Sequence, residues 1–319
     1  MKTLVSVILP TFNMGMYISR AIDSILSQTL EDFELIVLND GSTDRTADIL
    51  AAYAQQDQRI VVVDNPKNIG LIRTLNKGLE IAQGTFVARQ DADNHSTPTR
   101  LAEQVSYLEQ HPHIGLVGTR VFVIDNHKQT ISNNIYPCFV LPSTLIPWEL
   151  LFYPYFSHDT IIARRDLFLQ VGGYRLDRIH AEDYDLWCRL SRVTQLAMLP
   201  NIGGYLYRNP EGISQKFADA QNQTSKQIIR DAMSELLSES ISFIDAHIMF
   251  KIARTAVLST ADEMHRCEIL LSQLHTAYLK KFVLTEQEKV FLEANLINKL
   301  SMAKMLFHAT QLSFQAQLG

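Results

Sequence analysis

Compact apolar runs alternate with stretches of helical spacing over the first two-thirds of the chain. Leu4–Leu9 (LVSVIL), Phe33–Leu38 (FELIVL), Ile60–Val63 and Thr85–Ala88 are short and β-branched, as buried strands are. Between the first two, Ile18, Ala21, Ile22, Ile25 and Leu26 recur at helical spacing within Tyr17–Gln28. A second helix runs to about Ala54 with Ile49, Leu50 and Tyr53 inward. A third carries Leu71, Leu75, Leu79 and Ala82 on one face. Pro10 closes the first strand, Asn39–Asp44 is rich in turn and cap formers, and Gly84 ends the third helix. The βαβαβαβ rhythm with short connections predicts an α/β fold, a doubly wound, mostly parallel sheet flanked by helices.

Beyond the fourth strand, Pro98 starts a helix with Leu101, Val105 and Leu108 inward. Ile114–Gly118 and Val121–Ile124 read as two strands, the second closing on the turn Asp125-Asn126-His127. Tyr136–Phe156 is dense in aromatics and prolines. It reads either as an irregular segment packed on the sheet, or as a pocket wall or membrane-facing patch. Thr160–Ala163 reads as a strand, the next helix ends at Gly172-Gly173, and Ala181–Leu190 is helical. Gln195–Leu199 and Tyr205–Tyr207 are the final strands.

From Phe217 onward proline is absent and glycine appears only as the last residue. Ile228, Ile229, Met233, Leu236 and Leu237 mark one amphipathic helix, and Ile269, Leu270, Leu274 and Tyr278 another. Thr285 with Glu288 forms a capping box ahead of Val290, Phe291, Leu296 and Met302. The expected domains are therefore 1–215 and an all-helical C-terminal appendage, 216–319. Covering the sheet domain, membrane docking, homodimerisation and partner binding all stay open for the appendage.

Composition narrows the class. The 319 residues are 46% hydrophobic and 20% charged, ordinary for a globular protein with a sizeable core. A net charge of -5 argues against a nucleic-acid partner, which calls for a basic face. An anionic substrate then needs local positive charge or a metal. Cys138, Cys188 and Cys267 are scattered and odd in number, indicating neither a disulfide framework nor a zinc site. The start MKTLVSVILP is too short for a secretory signal, and no apolar run is long enough to span a bilayer. These features predict a cytoplasmic protein, resting if anywhere on the inner face of a membrane.

The candidate chemistry lies in Thr85–Asn94 (TFVARQDADN). Asp91 and Asp93 stand just past a strand's carboxyl end, where open α/β sheets bind ligands. Two such acids suit a hard divalent cation that also holds substrate phosphates. A lone D-x-D arises roughly once by chance in a chain of this length, and Asp183-Tyr184-Asp185 is a second. Context has to decide. A dinucleotide-binding G-x-G-x-x-G and a P-loop are both absent. The glycine-rich basic first loop of sugar nucleotidyltransferases is also missing, the loop here being Pro10-Thr11-Phe12-Asn13.

The motifs in order resemble family 2 glycosyltransferases of the GT-A fold, the bacterial polysaccharide and O-antigen group. VSVILPTFN, LNDGSTD, NIGLIRTLNKGLEIAQG, ARQDADN, the P-x-R-L-x-x-Q helix at Pro98–Gln104, SHDTIIARR, GGYR and EDYDLWCRL carry the likeness over Val5–Ser214. The resemblance implies a nucleotide-sugar donor, a UDP-sugar, with Mn²⁺ or Mg²⁺ held directly by Asp93 and with Asp91 on the ribose or the metal. It puts Pro10, Thr11, Asn13, Asp40 and Arg73 around the base, ribose and diphosphate. Asp40 either accepts from a uracil-like imide or is a turn residue capping the next helix. Asp183 is implied as catalytic base, with Glu182, His158 and Trp187 on the sugar and acceptor side. Trp187 is there either to stack on a sugar or simply to pack.

The implied reaction is inverting transfer to a hydroxyl of a glycan or lipid-linked acceptor. A cation stabilises the departing diphosphate while one carboxylate takes the acceptor proton. Two positions depart from the family pattern. Asn94 stands where many relatives have a third acid. Tyr207-Arg208-Asn209-Pro210 lacks a histidine, leaving Arg208 to supply charge to the diphosphate. The competing reading is a non-catalytic nucleotide-sugar-binding scaffold that keeps the fold.

Overall fold

The computed structural model describes residues 3–124, 135–207 and 216–318, with side chains as far as 309. The turn expected at Asp125-Asn126-His127 lies outside the described residues. The chain forms two compact units. One comprises Met1–Leu141 and Phe156–Ala218, the other Pro142–Tyr155 and Asp219–Gly319.

In the first unit, β1 (Val5–Thr11), β2 (Phe33–Asn39), β3 (Ile60–Asp64) and β4 (Phe86–Arg89) lie parallel in the order β3-β2-β1-β4. The crossovers are α1 (Ile18–Leu26), α2 (Thr46–Gln56) and α3 (Leu71–Ile81). Val7, Leu9, Leu35, Val37 and Ala88 are fully buried, as continuous apolar strands require. Thr11 is in register with Asn39, and Ile8 with Arg89, so the loops after β1, β2 and β4 leave one edge of the sheet together.

The sheet then turns mixed. β5 (His95–Ser96) and α4 (Arg100–Gln110) lead into β6 (Ile114–Ile124) and β7 (Ile135–Tyr136). β8 (Ile161–Arg164), α6 (Arg165–Gln170), α7 (Glu182–Leu190) and β9 (Gln195–Tyr207) complete the unit. α5 (Ile146–Glu149) belongs to the second unit. β8 inserts antiparallel between β4 and β6, β9 runs parallel to β6, and β5 closes the path.

Three strand boundaries differ from the expectation. Pro10 does not close β1, which continues to Thr11. Ile8 bonds towards β4 and Thr11 towards β2, so Pro10 faces the β4 side, where the β4 ladder has already ended at Arg89. Its missing N–H therefore breaks nothing. The two strands expected between 114 and 124 are one. Buried Thr119 and half-buried Arg120 sit where the register with β9 shifts rather than in a turn. The last two expected strands are likewise continuous, because Gly203 lets β9 pass close over β6. A Cβ there would stand 1.9 Å from Thr119 Oγ1.

The second unit contains α8 (Ala218–Leu237), α9 (Phe243–Ala253), α10 (Ala261–Lys281) and α11 (Glu286–Leu318). Ser242 and Thr260 cap α9 and α10 by accepting from Asp245 N and Glu263 N. The Thr285–Glu288 box forms reciprocally, at 2.7 Å and 3.3 Å. Of the apolar positions that follow the capping box on α11, Val290, Phe291 and Met302 are exposed. Leu292 and Ala303 are buried instead, and Asn295 and Lys299 complete that stripe. Both polar residues serve the segment 142–155, so apolarity alone does not mark the buried face. Trp148 Nε1 donates to Asn295 Oδ1 (2.9 Å), and Asn295 Nδ2 donates to Glu149 Oε1 (2.8 Å). Lys299 Nζ lies 3.5 Å from Glu149 Oε2. The aromatic segment thus packs on the C-terminal helices. Among the described residues no helix is long and apolar enough to cross a membrane.

Candidate active site

The loops at the carboxyl edge are tied to one another before any ligand is considered. Asn13, at φ 54°, accepts from Thr43 N (2.8 Å) and donates its own N–H to Ser42 Oγ (3.0 Å), joining the β1 and β2 loops. Thr11 is buried with its Oγ1 unpartnered among the described residues. Asp40, 3% exposed, accepts from Asn65 Nδ2 (2.8 Å), Ile69 N (2.9 Å) and Gly70 N (2.9 Å). It therefore ties down the entry to α3 rather than capping the next helix, α2, as the turn-residue reading had it. Gly41 is obligatory beside it, since at φ +72° a Cβ would lie 2.5 Å from the Lys67 carbonyl carbon. Arg73 stands exposed in the first turn of α3.

β4 delivers Arg89 and then Asp91 and Asp93 to the same edge. Arg89 is buried, and its Nη2 donates to Asp91 Oδ1 at 2.7 Å. Asn94, the departure from the acidic pattern, is a buried bridge. Its Nδ2 donates to Asp159 Oδ2 (2.8 Å) and its Oδ1 accepts from Tyr207 N (2.9 Å). Asp159 stands on the 3₁₀ turn His158–Thr160 and also accepts from Ser157 Oγ at 2.5 Å. Arg100, fully buried on α4, donates to the carbonyls of Arg89 (3.0 Å) and Asp159 (2.7 Å).

α7 brings Glu182 and Asp183 to the cluster in its first turn. Burial pushes Asp183 up to about 6, and the Asp91 carboxylate adds to the rise. Burial first, and then Asp91, also push Asp93 and Asp159 to about 6. Glu182 rises to about 8 through burial and then the charge of Asp183. One field thus joins the end of β4 to the start of α7. The acids outnumber Arg89 and Arg100, so the cluster is short of positive charge. Asp91 and Asp93 fit a hard divalent cation as two oxygen ligands, the remainder coming from phosphate and water. Among the described residues no group of three His, Cys, Asp or Glu is arranged around a metal position.

The other implied residues divide. His158 Nε2 lies 2.8 Å from Tyr174 OH, and burial holds the imidazole well below its usual pKa and neutral. Trp187 does not line the sugar side. It is 0% exposed, edge-on to Phe156 and His158 at 6.0 Å and 5.7 Å, so no sugar face can reach it; it packs. Asp185, the second acid of D-Y-D, forms a buried pair with Arg189 at 2.7 Å. Arg189 in turn donates to the carbonyls of Val171 and Gly173, fixing the GGYR turn beside α7. Arg208 lies outside the described residues. Arg89, Arg100 and Asp159 were not singled out from sequence, although all three stand inside the quoted motifs. Burial of a charge leaves no mark on residue type.

The fold and cluster can be set beside known proteins. The sequence model described as Glycosyl transferase family 2 matches residues 6–172, over half of the chain. The chain belongs to this family. It is 32% identical over 243 residues to an uncharacterized glycosyltransferase of Haemophilus influenzae, covering 74% of this chain and 75% of the relative. It is 30% identical to the O-antigen biosynthesis glycosyltransferase WbnJ of Escherichia coli, over 73% of this chain and 90% of WbnJ. Among solved structures, Staphylococcus aureus TarS 1–349 in complex with UDP-GlcNAc aligns at TM-score 0.65 and 17% identity. That alignment covers 97% of this chain and 92% of that one. The mannosyltransferase PcManGT of Pyrobaculum calidifontis, in complex with GDP-Man and Mn²⁺, aligns at 0.56 and 17%, covering 96% and 87%. At such identities these structures speak for the fold, which is GT-A. As a family 2 protein the chain is a glycosyltransferase enzyme.

Proposed function

We propose that this family 2 enzyme transfers a sugar from a UDP-sugar to a hydroxyl of a glycan or lipid-linked acceptor, with inversion and with Mn²⁺ or Mg²⁺. The supporting observation is the shared field of Asp91, Asp93 and Asp183: donor-side and acceptor-side acids meet in one cluster.

Pro10, Thr11, Asn13 and Asp40 border the base. A carboxylate offers about four lone-pair sites. Three of those on Asp40 are filled, which leaves one for an imide N–H. Arg73, exposed in the first turn of α3, meets the diphosphate, and the same role falls to Arg208 by its place in the sequence. Asp91 and Asp93 hold the cation, which when bound offsets charge developing on the leaving diphosphate. Asp183 takes the acceptor proton. Glu182, beside it and still protonated near neutrality, donates a hydrogen bond to the acceptor, so the pair divides acid from base. His158 supports that side through Tyr174. One base and no second nucleophile favour inversion. A lipid-linked acceptor would bring the reaction to the inner face of the membrane.

A nucleotide-sugar screen with Mn²⁺ tests the reading. UDP-sugars should be turned over, and the anomeric configuration of the product, read by NMR, should be inverted. Asp183→Asn should lower transfer at least ~100-fold while UDP affinity changes less than about threefold. Transfer surviving in that variant removes Asp183 from the role of base.

A further inference from the structure

Arg89 is a cation sunk among acids. It is 3% exposed, its Nη2 grips Asp91 Oδ1 at 2.7 Å, and its Nη1 donates to the Gln90 carbonyl. Its Nε has no hydrogen-bond partner among the described residues. Arg100 holds the Arg89 carbonyl, so the backbone is fixed there and any movement of the guanidinium comes from side-chain rotation. Asp93, Asp159, Glu182 and Asp183 all feel its charge, so a guanidinium leaving Asp91 meets other acids without leaving the cluster. Asp91 itself is 36% exposed and open to an ion from solvent.

A hard cation held by both oxygens of Asp91 would meet the guanidinium on Oδ1 at contact distance, where the two positive charges repel. We infer that Arg89 holds the cation's place on Asp91 in the ligand-free enzyme and must release it before a divalent ion binds there. This inference rests on the cation site proposed above. Metal alone then binds weakly, and the donor's diphosphate tightens it by giving the released guanidinium a further anion to face.

The test uses Mn²⁺ alone, without donor, titrated into the full chain while free Mn²⁺ is read by electron paramagnetic resonance. Arg89→Met should bind about tenfold more tightly than the wild type. Arg89→Lys should bind at least about threefold more tightly, because an ammonium keeps the charge but loses the fork that grips Asp91. Asp91→Asn should lose the ion. If Arg89→Lys matches the wild type, only net charge matters and the inference is overturned. Retention of the ion by Asp91→Asn overturns it as well. If the wild type binds no Mn²⁺ under any condition, the cation site and this inference fall together. A measurement on the unmutated chain guards against misfolded variants: the ¹⁵Nε signal of Arg89 should shift as Mg²⁺ is added. A signal that stays fixed while Mg²⁺ binds overturns the displacement.

Discussion

At the scale of single residues, the site is governed by which carboxylates carry a proton. Asp183 titrates near 6 because it is buried and faces Asp91. Its proton-accepting form is lost as pH falls, so kcat/KM should drop about tenfold per pH unit below pH 6. A cation on Asp91 and Asp93 should move that midpoint downward. A pH profile at two cation concentrations reads both effects. Asn94 gives a second prediction. Asn94→Asp removes the donor to Asp159 and sets two carboxylates face to face. The variant should unfold about 1–3 kcal/mol more easily in denaturant at neutral pH and recover part of that loss in acid. Asp91, Asp93, Glu182 and Asp183 stood out in the sequence as candidates because ordered motifs surround them. Asn94 was legible only as a departure; its role as a bridge needed the backbone of Tyr207 beside it. Trp187 stayed open between stacking and packing, because an aromatic next to a candidate catalytic acid looks the same either way, and its complete burial answers for packing.

At the scale of elements, hydrophobic periodicity found the βα repeats up to β4 nearly to the residue, since β1, β2 and β4 are almost wholly buried and the edge strand β3 is still an unbroken β-branched run. It failed where polar residues sit inside strands, at Thr119-Arg120 and around Gly203, and where a buried helical stripe is polar, at Asn295 and Lys299 of α11. α7 is set at the active edge by the Asp185–Arg189 pair and its grip on the GGYR turn. Asp185→Asn leaves a buried guanidinium without its counter-charge. It should cost about 3 kcal/mol or more of stability, measured by chemical unfolding. Because the GGYR turn loosens beside Asp183, kcat should fall further than UDP affinity.

At the scale of the whole molecule, the acid cluster links stability to pH and to the cation. Asp93, Asp159 and Asp183 near 6 and Glu182 near 8 all lie above the 3.8 and 4.5 of free carboxyls. The folded state therefore binds more protons than the unfolded one. That contribution is fully present below about pH 4 and is lost as pH rises through 6 and then 8. Thermal unfolding should show the cation-free enzyme losing stability across that window. Mn²⁺ should raise the melting temperature more at pH 8 than at pH 5, where a proton already occupies Asp93. An equal rise at both values would argue that the ion sits elsewhere.

The insertion of β8 between β4 and β6 has a consequence during synthesis. As the chain leaves the ribosome, β1–β4 emerge first, and β4 then waits for residues 161–164 to cover its open side. At about 5–20 residues per second the wait is roughly 4–15 s. Throughout it an apolar half-sheet presents unpaired amides to any neighbouring nascent chain. Slow codons between β4 and β8 should therefore lower the soluble yield of this enzyme more than the same codons placed after β9.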